Sequence, residues 1–261
     1  VAHILLTNDD GIQAPGLRAI LEALRPMGRV SVFAPDHNWS AAGHTKTMHK
    51  PLRVARFALP GIEGDEVEAY TSTGAPSDCV ALALLGLLPE RPDVVVSGIN
   101  QGPNLGHDVT YSGTVAAAME AAIFGLPAVA VSLDSYESQD YGLAARVAAG
   151  VVAKVHEHGL PAGTLLNVNV PALAPGELAG VAITRMGRRV YRDVLVDRRD
   201  PRGRPYYWIG GEPPSGHLDE GTDIWAVAQG YVSITPIHLD MTAHDLIPNL
   251  QAWNLTELST R

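Results

Sequence analysis

Five short runs of nearly uninterrupted apolar, β-favouring residues constrain this chain more than any other feature. They are HILLT (3–7), RVSVFA (29–34), DVVVSG (93–98), AVAVSL (128–133) and LLNVNV (165–170). A strand with one wet face alternates apolar and polar residues, whereas a strand covered on both faces stays apolar along its length. These runs are of the second kind. Helix candidates lie between them at 15–27, 77–88, 113–124 and 141–158. The first has Pro15 near its start and Gly28 just past its end; the third stops at Gly125, with Pro127 beyond it. The alternation predicts an α/β fold with a doubly wound, mostly parallel sheet and helices on both faces. Strand order is not legible at this level.

After about residue 180 the pattern changes. YRDVLVDRRDPRGRPYYWIG (191–210) reads as two strands around Asp200-Pro201-Arg202-Gly203, which suits a type I turn, and IWAVAQGYVSITPI (224–237) reads as a further strand. We expect one α/β domain over residues 1–261, carrying a C-terminal β-hairpin arm at about 184–236. Such an arm is either a solvated extension or a surface that packs on an identical subunit. It is too thin to bury Tyr191, Tyr206, Tyr207 and Trp208 by itself, which favours self-association. The arginines at 198, 199, 202 and 204 can alternatively stand near a neighbour's active site and attract anionic substrate.

With 46% hydrophobic and 18% charged residues, the composition is that of an ordinary soluble globular protein. No apolar run reaches the roughly 18 residues that a membrane span needs. No secretion signal is visible, although one already removed leaves no trace. The single cysteine, Cys79, excludes an internal disulfide framework and points to a reducing compartment, the cytoplasm by default. Within SDCVALALL it reads as buried and inert. The formal charge of −9 argues against a duplex nucleic-acid partner. Small phosphorylated ligands stay open, because a bound divalent cation can supply positive charge locally.

Ligands of open α/β sheets gather at the carboxyl ends of the strands. Three polar stretches each follow a predicted strand: Asn8-Asp9-Asp10-Gly11, PDHNWSAAG (35–43) and INQGPNLGHDVTYSGT (99–114). If those strands are parallel, the three stretches meet on one edge. A lone acid after a strand usually caps a helix or shapes a turn. Two adjacent acids repel each other, and a hard divalent cation relieves that by binding both through oxygen. Both can converge only where the strand gives way to a turn, a freedom Gly11 supplies. In the third stretch, Ser112-Gly113-Thr114 opens a helix and offers hydroxyls and backbone N–H groups to an anion. Asn100 and Asn104 can ligate a metal through oxygen or donate to phosphate through nitrogen. The stretch is neither a Walker loop nor a dinucleotide fingerprint. Ser40 lacks a nucleophile elbow and reads as a supporting ligand. His156 and His158 suit a helix C-terminus better than a metal site.

The motifs ILLTNDDG, GAPSDCVALAL, RPDVVVSGINQGPNLGHDVTYSGTVAAAMEAA and GTDIWAVAQGYVSITPIHLDMTAH together resemble the SurE (survival protein E) family of metal-dependent nucleotidases. The resemblance implies a Rossmann-like core and hydrolysis of nucleoside monophosphates by metal-activated water. It also implies one divalent ion per subunit, Mg²⁺ or Mn²⁺, and a homodimer or homotetramer with exchanged C-terminal elements. Carried over by motif, metal ligands fall on Asp9, Asp10, Ser40 and Asn100, with Asp9, Asp10 and Asn100 also catalytic. Phosphate contacts fall on Asn104, Ser112, Gly113 and Thr114. Trp39 stands where the family pattern leads one to expect a polar residue. Two other readings compete. An aspartyl-phosphate phosphatase prefers two acids separated by one residue, and a nucleotide-binding sensor has no need of paired acids.

Overall fold

The structure, a computed structural model, describes residues 2–62, 67–253 and 255, without the side chains of residues 175, 212 and 213. The strands are β1 (Ala2–Thr7), β2 (Gly28–Pro35), β3 (Val54–Arg56), β4 (Glu68–Ser72), β5 (Val94–Gln101) and β6 (Ala128–Asp134). They continue with β7 (Thr164–Pro171), β8 (Gly180–Ile183), β9 (Arg189–Arg199), β10 (Pro205–Gly216) and β11 (Tyr231–His238). The helices are α1 (Pro15–Leu24), α2 (Pro76–Leu82), α3 (Gly113–Ile123), α4 (Gly142–His158), α5 (Asp223–Ala228) and α6 (Ile247–Gln251).

Among the described residues, nine strands form one sheet in the order β3-β4-β2-β1-β5-β6-β7-β11-β8. The run from β4 to β7 is parallel throughout, and β11 closes antiparallel on β7. The five apolar runs of the sequence are β1, β2, β5, β6 and β7. Successive side chains of a strand point to opposite faces, and here both faces are apolar. Ile4 and Leu6 of β1 pack with Leu17, Ile20 and Leu21 of α1 and Ala148 and Val152 of α4. Leu5, between them, enters the opposite core with Phe33, Val80 of α2 and Val115 and Ala118 of α3. Fully burying each such side chain stabilises the fold by about 1.5–3 kcal/mol. This is the expected doubly wound α/β architecture, and no helix among the described residues is long and apolar enough to cross a membrane.

Three expectations need correction. The helix at 77–88 stays regular only to Leu82; Ala83–Leu87 form a π-type turn with Gly86 at φ 115°. The run at 224–237 is not one strand, because its first part is α5. Thr222 caps that helix, its Oγ1 accepting the Trp225 N–H at 3.2 Å, and Gly230 at φ 78° lies between α5 and β11. A short apolar run reads equally as buried helix or buried strand, and only the cap decides. Finally, the boundary 184–236 is too wide for the arm. Within it, α5 is a helix and β11 belongs to the main sheet, and the separate antiparallel hairpin is β9–β10.

Candidate active site

From β1 the sheet continues to β2 on one side and to β5 on the other, so the direction of winding reverses between β1 and β5. The carboxyl ends of those two strands carry Asn8–Asp10 and Asn100–Gln101. At such a switch point a crevice opens, and it is where ligands of doubly wound sheets bind. A cleft of about 280 Å³ lies there, lined by Asp9 after β1, Ser40 after β2, and Asn100, Asn104 and Ser112 after β5. The three polar stretches do meet on one edge.

The acid pair is divided between two settings. Asp9 is 3% exposed. Its Oδ1 accepts the Thr114 hydroxyl. Its carboxylate also rests on Gly113, where an added Cβ would lie 2.8 Å from Asp9 Cβ and 2.9 Å from Oδ2. Glycine is therefore required at 113 for the acid to reach the start of α3. Asp10 is half-buried and points elsewhere: Oδ1 accepts Asn38 Nδ2 at 3.1 Å and Oδ2 the Gln101 N–H at 3.4 Å. Gly11 at φ 100° makes the turn, and Asn8 Nδ2 donates to Gly11 O at 2.9 Å. Neither acid caps α1, whose N-cap is Ala14, with no side-chain capping bond. Burial, opposed by the Thr114 hydrogen bond and aided by the Asp10 charge, pushes the Asp9 carboxyl up to about 6. Burial raises Asp10 as well, against its bonds to Gln101 and Asn38.

The remaining residues are held as firmly. Asn100 Nδ2 donates to Gly102 O at 2.7 Å, so Oδ1 is its open atom. A register shift between Ser97 and Asn100, with Gly98 at φ 133°, turns the end of β5. Ser112 Oγ caps α3 by accepting the Val115 N–H at 3.1 Å, which leaves its hydroxyl proton to donate. Asn104 is pinned from below: its N–H donates to Asn169 Oδ1 at 2.8 Å and its Nδ2 to Ser132 Oγ at 2.7 Å. Its carbonyl accepts Asn167 and Asn169 Nδ2 at 2.8 and 3.1 Å. Ser40 stands on an exposed loop, fixed by its own N–H donating to Asn38 Oδ1 at 2.7 Å. Trp39 beside it is structural: its backbone N–H donates to Asp9 O at 2.7 Å, and its ring lies tilted against His37. The same loop is latched further along by His44 and Lys46, each 2.9 Å from the buried Glu120 of α3. Those bonds hold the Glu120 carboxyl below its usual range against the effect of burial.

Several supporting residues were missed. Asn167 and Asn169 sit on β7, and their signal was in view as two asparagines in an otherwise apolar strand. Asp223 is fully buried, and Oδ2 accepts the Gly106 N–H while Oδ1 accepts Gly187 and Ile224 N–H, at 2.7, 2.7 and 2.8 Å. Asp108 accepts Arg189 Nε and the Tyr191 hydroxyl, both at 2.6 Å. Thus the hairpin root, including Pro214 in the cleft lining, is tied to the loop that carries Asn104. Nothing local in the sequence announces these long-range pairs. His156 and His158 stand in the last turn of α4, as expected. Cys79 is buried, and that burial pushes its thiol well up.

Fold and cleft together define a Rossmann-like α/β protein with a paired-acid, oxygen-rich site facing a helix N-terminus. The family model described as Survival protein SurE matches residues 4–193, and this chain belongs to that family. Among its relatives is a protein named 5'-nucleotidase SurE from Chloroflexus aggregans, 53% identical over 96% of this chain and 98% of that one. Another of the same name, from Symbiobacterium thermophilum, is 50% identical over 98% of this chain and 100% of its own length. The crystal structure of the SurE protein from Aquifex aeolicus is similar with a TM-score of 0.81 at 41% identity, covering 96% of this chain and 99% of that one.

Proposed function

We propose that this cleft hydrolyses nucleoside 5'-monophosphates, and 3'-monophosphates as further substrates, to nucleoside and phosphate. The observation that carries the proposal is the meeting of Asp9, Ser40 and Asn100 with the start of α3 in one cleft, in a chain whose near-full-length relatives bear the name 5'-nucleotidase.

The residues fit a hard divalent cation. All the donors are oxygens, two of them carboxylates. Asp9 sits where burial opposes its charge, a penalty that a bound cation reverses. Asn100 has its nitrogen occupied and its oxygen open. Asp9, Ser40 and Asn100, which line the cleft, would hold one Mg²⁺ or Mn²⁺ per subunit, and Asp10, which lies outside that lining, would join them through carboxylate lone pairs not used by Asn38 and Gln101. When bound, such an ion supplies positive charge for the phosphate and lowers the pKa of water. The chain's own groups do the rest. The first-turn N–H groups of α3, at Gly113 and Thr114, together with the Ser112 hydroxyl, receive the phosphate oxygens and stabilise charge that develops on them. Asn104 offers its second Nδ2 proton to the same group. Thr114 also holds Asp9, with its hydroxyl and its backbone N–H both directed at that carboxylate.

We also assign the hairpin to self-association, in a homodimer or homotetramer with exchanged C-terminal elements. Its exposed Leu195, Tyr207, Trp208 and Ile209 support this. A cytoplasmic setting suits the single buried thiol. Turnover of a nucleoside 5'-monophosphate with and without EDTA tests the reading. Chelation should abolish phosphate release and Mn²⁺ or Mg²⁺ should restore it. Undiminished release after exhaustive chelation would overturn the metal assignment.

A further inference from the structure

The groups assigned above recognise only the phosphate end of a nucleotide. We propose that Tyr136, with Tyr111 in the same cleft lining, forms the platform on which the nucleobase stacks, so that the cleft reads its substrate's base by an aromatic face rather than by hydrogen bonds. The inference rests on the nucleotidase reading and extends it from the phosphate to the base.

Tyr136 and Tyr111 are the two aromatic residues in the lining of this cleft, and they are 68% and 60% exposed. Each therefore presents an open ring face, with a polar hydroxyl at its tip, at the rim of a polar cleft. Tyr136 is braced for such a task. An added Cβ at Gly102, whose φ is 103°, would lie 2.3, 2.8 and 3.0 Å from Cε1, Cδ1 and Cζ of the ring. The ring therefore lies directly against the Gly102 backbone and could not do so with any other residue there. The Tyr136 carbonyl is also fixed, accepting Gln101 Nε2 at 2.8 Å. Residues 100–102 thus carry Asn100 and the support for the ring within three positions. The placement of the ring relative to the proposed metal ligand Asn100 is set by one piece of backbone, which limits the ordering cost on binding.

Tyr111 stands immediately before Ser112, the cap of α3. Its N–H donates to Asp108 O at 3.0 Å and its carbonyl accepts the Gly43 N–H at 2.9 Å. Its main chain is held while its side chain stays open. Every base has a π-face, so such a platform tolerates all of them. Low discrimination among bases follows.

The test compares a nucleoside 5'-monophosphate with ribose 5-phosphate, which keeps the phosphate and sugar but has no base. In the wild type, KM should be lower for the nucleotide. Tyr136→Ala should raise KM for the nucleotide about tenfold, leave kcat within about twofold, and leave KM for ribose 5-phosphate unchanged. Tyr136→Phe should retain wild-type KM, since the stacking face remains. Tyr111→Ala should show the same selective rise, smaller in size. Equal losses on both substrates would make Tyr136 a support for the Gly102 loop and overturn the proposal, as would an unchanged nucleotide KM in both alanine variants. If the wild type hydrolyses no nucleotide yet cleaves ribose 5-phosphate, the nucleotidase reading fails instead.

Discussion

Asp9, at the end of β1, is 3% exposed and held by two neighbouring residues of α3, whereas Ile209, on the hairpin, is 82% exposed. Both lie in one chain, yet they obey opposite rules. The cleft floor places charge where water is scarce and fixes it from α3, while β6 and β7 pin the neutral Asn104 beside it. The hairpin places apolar side chains where water is abundant and gives them only each other across one ladder. A buried carboxylate and an exposed isoleucine are each unfavourable in the isolated subunit. Each becomes favourable when something else arrives: a cation and a phosphate for the floor, a second copy of the chain for the hairpin. Two acids join the regions: Asp108, bonded to Arg189 and Tyr191, and the fully buried Asp223, which accepts N–H groups from the site loop at Gly106 and from the hairpin root at Gly187.

The largest effect should therefore come from breaking that joint. Asp223→Ala leaves the Gly106, Gly187 and Ile224 N–H groups without their acceptor. An unpaired buried donor costs about 1–3 kcal/mol, so we expect about 4 kcal/mol of lost stability in urea unfolding, with turnover falling as the Asn104 loop loosens. Asp223→Asn, which keeps one accepting oxygen, should lose about half as much. If the alanine variant unfolds at the wild-type midpoint, Asp223 does not couple site and hairpin.

Asp9 gives a sharper test of the floor alone. Its carboxyl is raised to about 6 in the folded protein from an ordinary value of 3.8, chiefly by burial. A raised acid binds its proton more tightly folded than unfolded. Its contribution to stability is therefore complete below about pH 4 and is lost as pH rises through about 6. In EDTA the protein should lose on the order of 3 kcal/mol across that window, at about 1.36 kcal/mol per pK unit. Asp9→Asn should remove the slope, and excess Mg²⁺ or Mn²⁺ should oppose it in the wild type. A slope unchanged in Asp9→Asn assigns it to other groups.

Turnover should respond in the opposite sense. Asp9→Asn and Asp10→Asn should each lower it by ~10²-fold or more, about 2.7 kcal/mol at that factor. The same Asp9→Asn change that steadies the metal-free fold thus disables the site. Wild-type metal-dependent rates in both variants would reduce the pair to a turn.

The same contrast explains what was legible in the sequence. The sheet was, because burial on both faces writes itself as contiguous apolar runs. Four of the five cleft-lining polar residues named here, Asp9, Asn100, Asn104 and Ser112, follow β1 or β5, and their convergence needed only parallel strands. The Thr114 hydroxyl was read as a phosphate contact, although the structure also gives it Asp9 as a partner. What stayed hidden depends on pairs far apart in the chain. Asn169 with Asn104, Arg189 with Asp108 and Asp223 with Gly106 leave no periodic trace. β3, β4 and β8 were missed because three to five residues carry too little pattern, and β3 is exposed along its whole length.

The smallest effect on the subunit should come from removing the arm itself. Its register pairs Asp193 with Gly211, so excising 194–210 and joining the ends through a two-residue Asn-Gly turn keeps the strands aligned. A cut at 193–207 would not. The Arg189 and Tyr191 bonds to Asp108 lie outside the excised segment, so the loop next to the cleft keeps its tether. Because Val194, Leu195, Trp208 and Ile209 are all more than half exposed, the subunit loses little core. We expect its stability to change by no more than about 0.5 kcal/mol. Light scattering should nevertheless show a smaller particle, since the apolar surface offered to a second copy has gone. Calorimetric Mn²⁺ binding should persist at wild-type affinity, because every proposed ligand lies in the retained core. An unchanged particle would make the hairpin a solvated extension, and lost Mn²⁺ binding would mean the floor depends on the arm beyond its root.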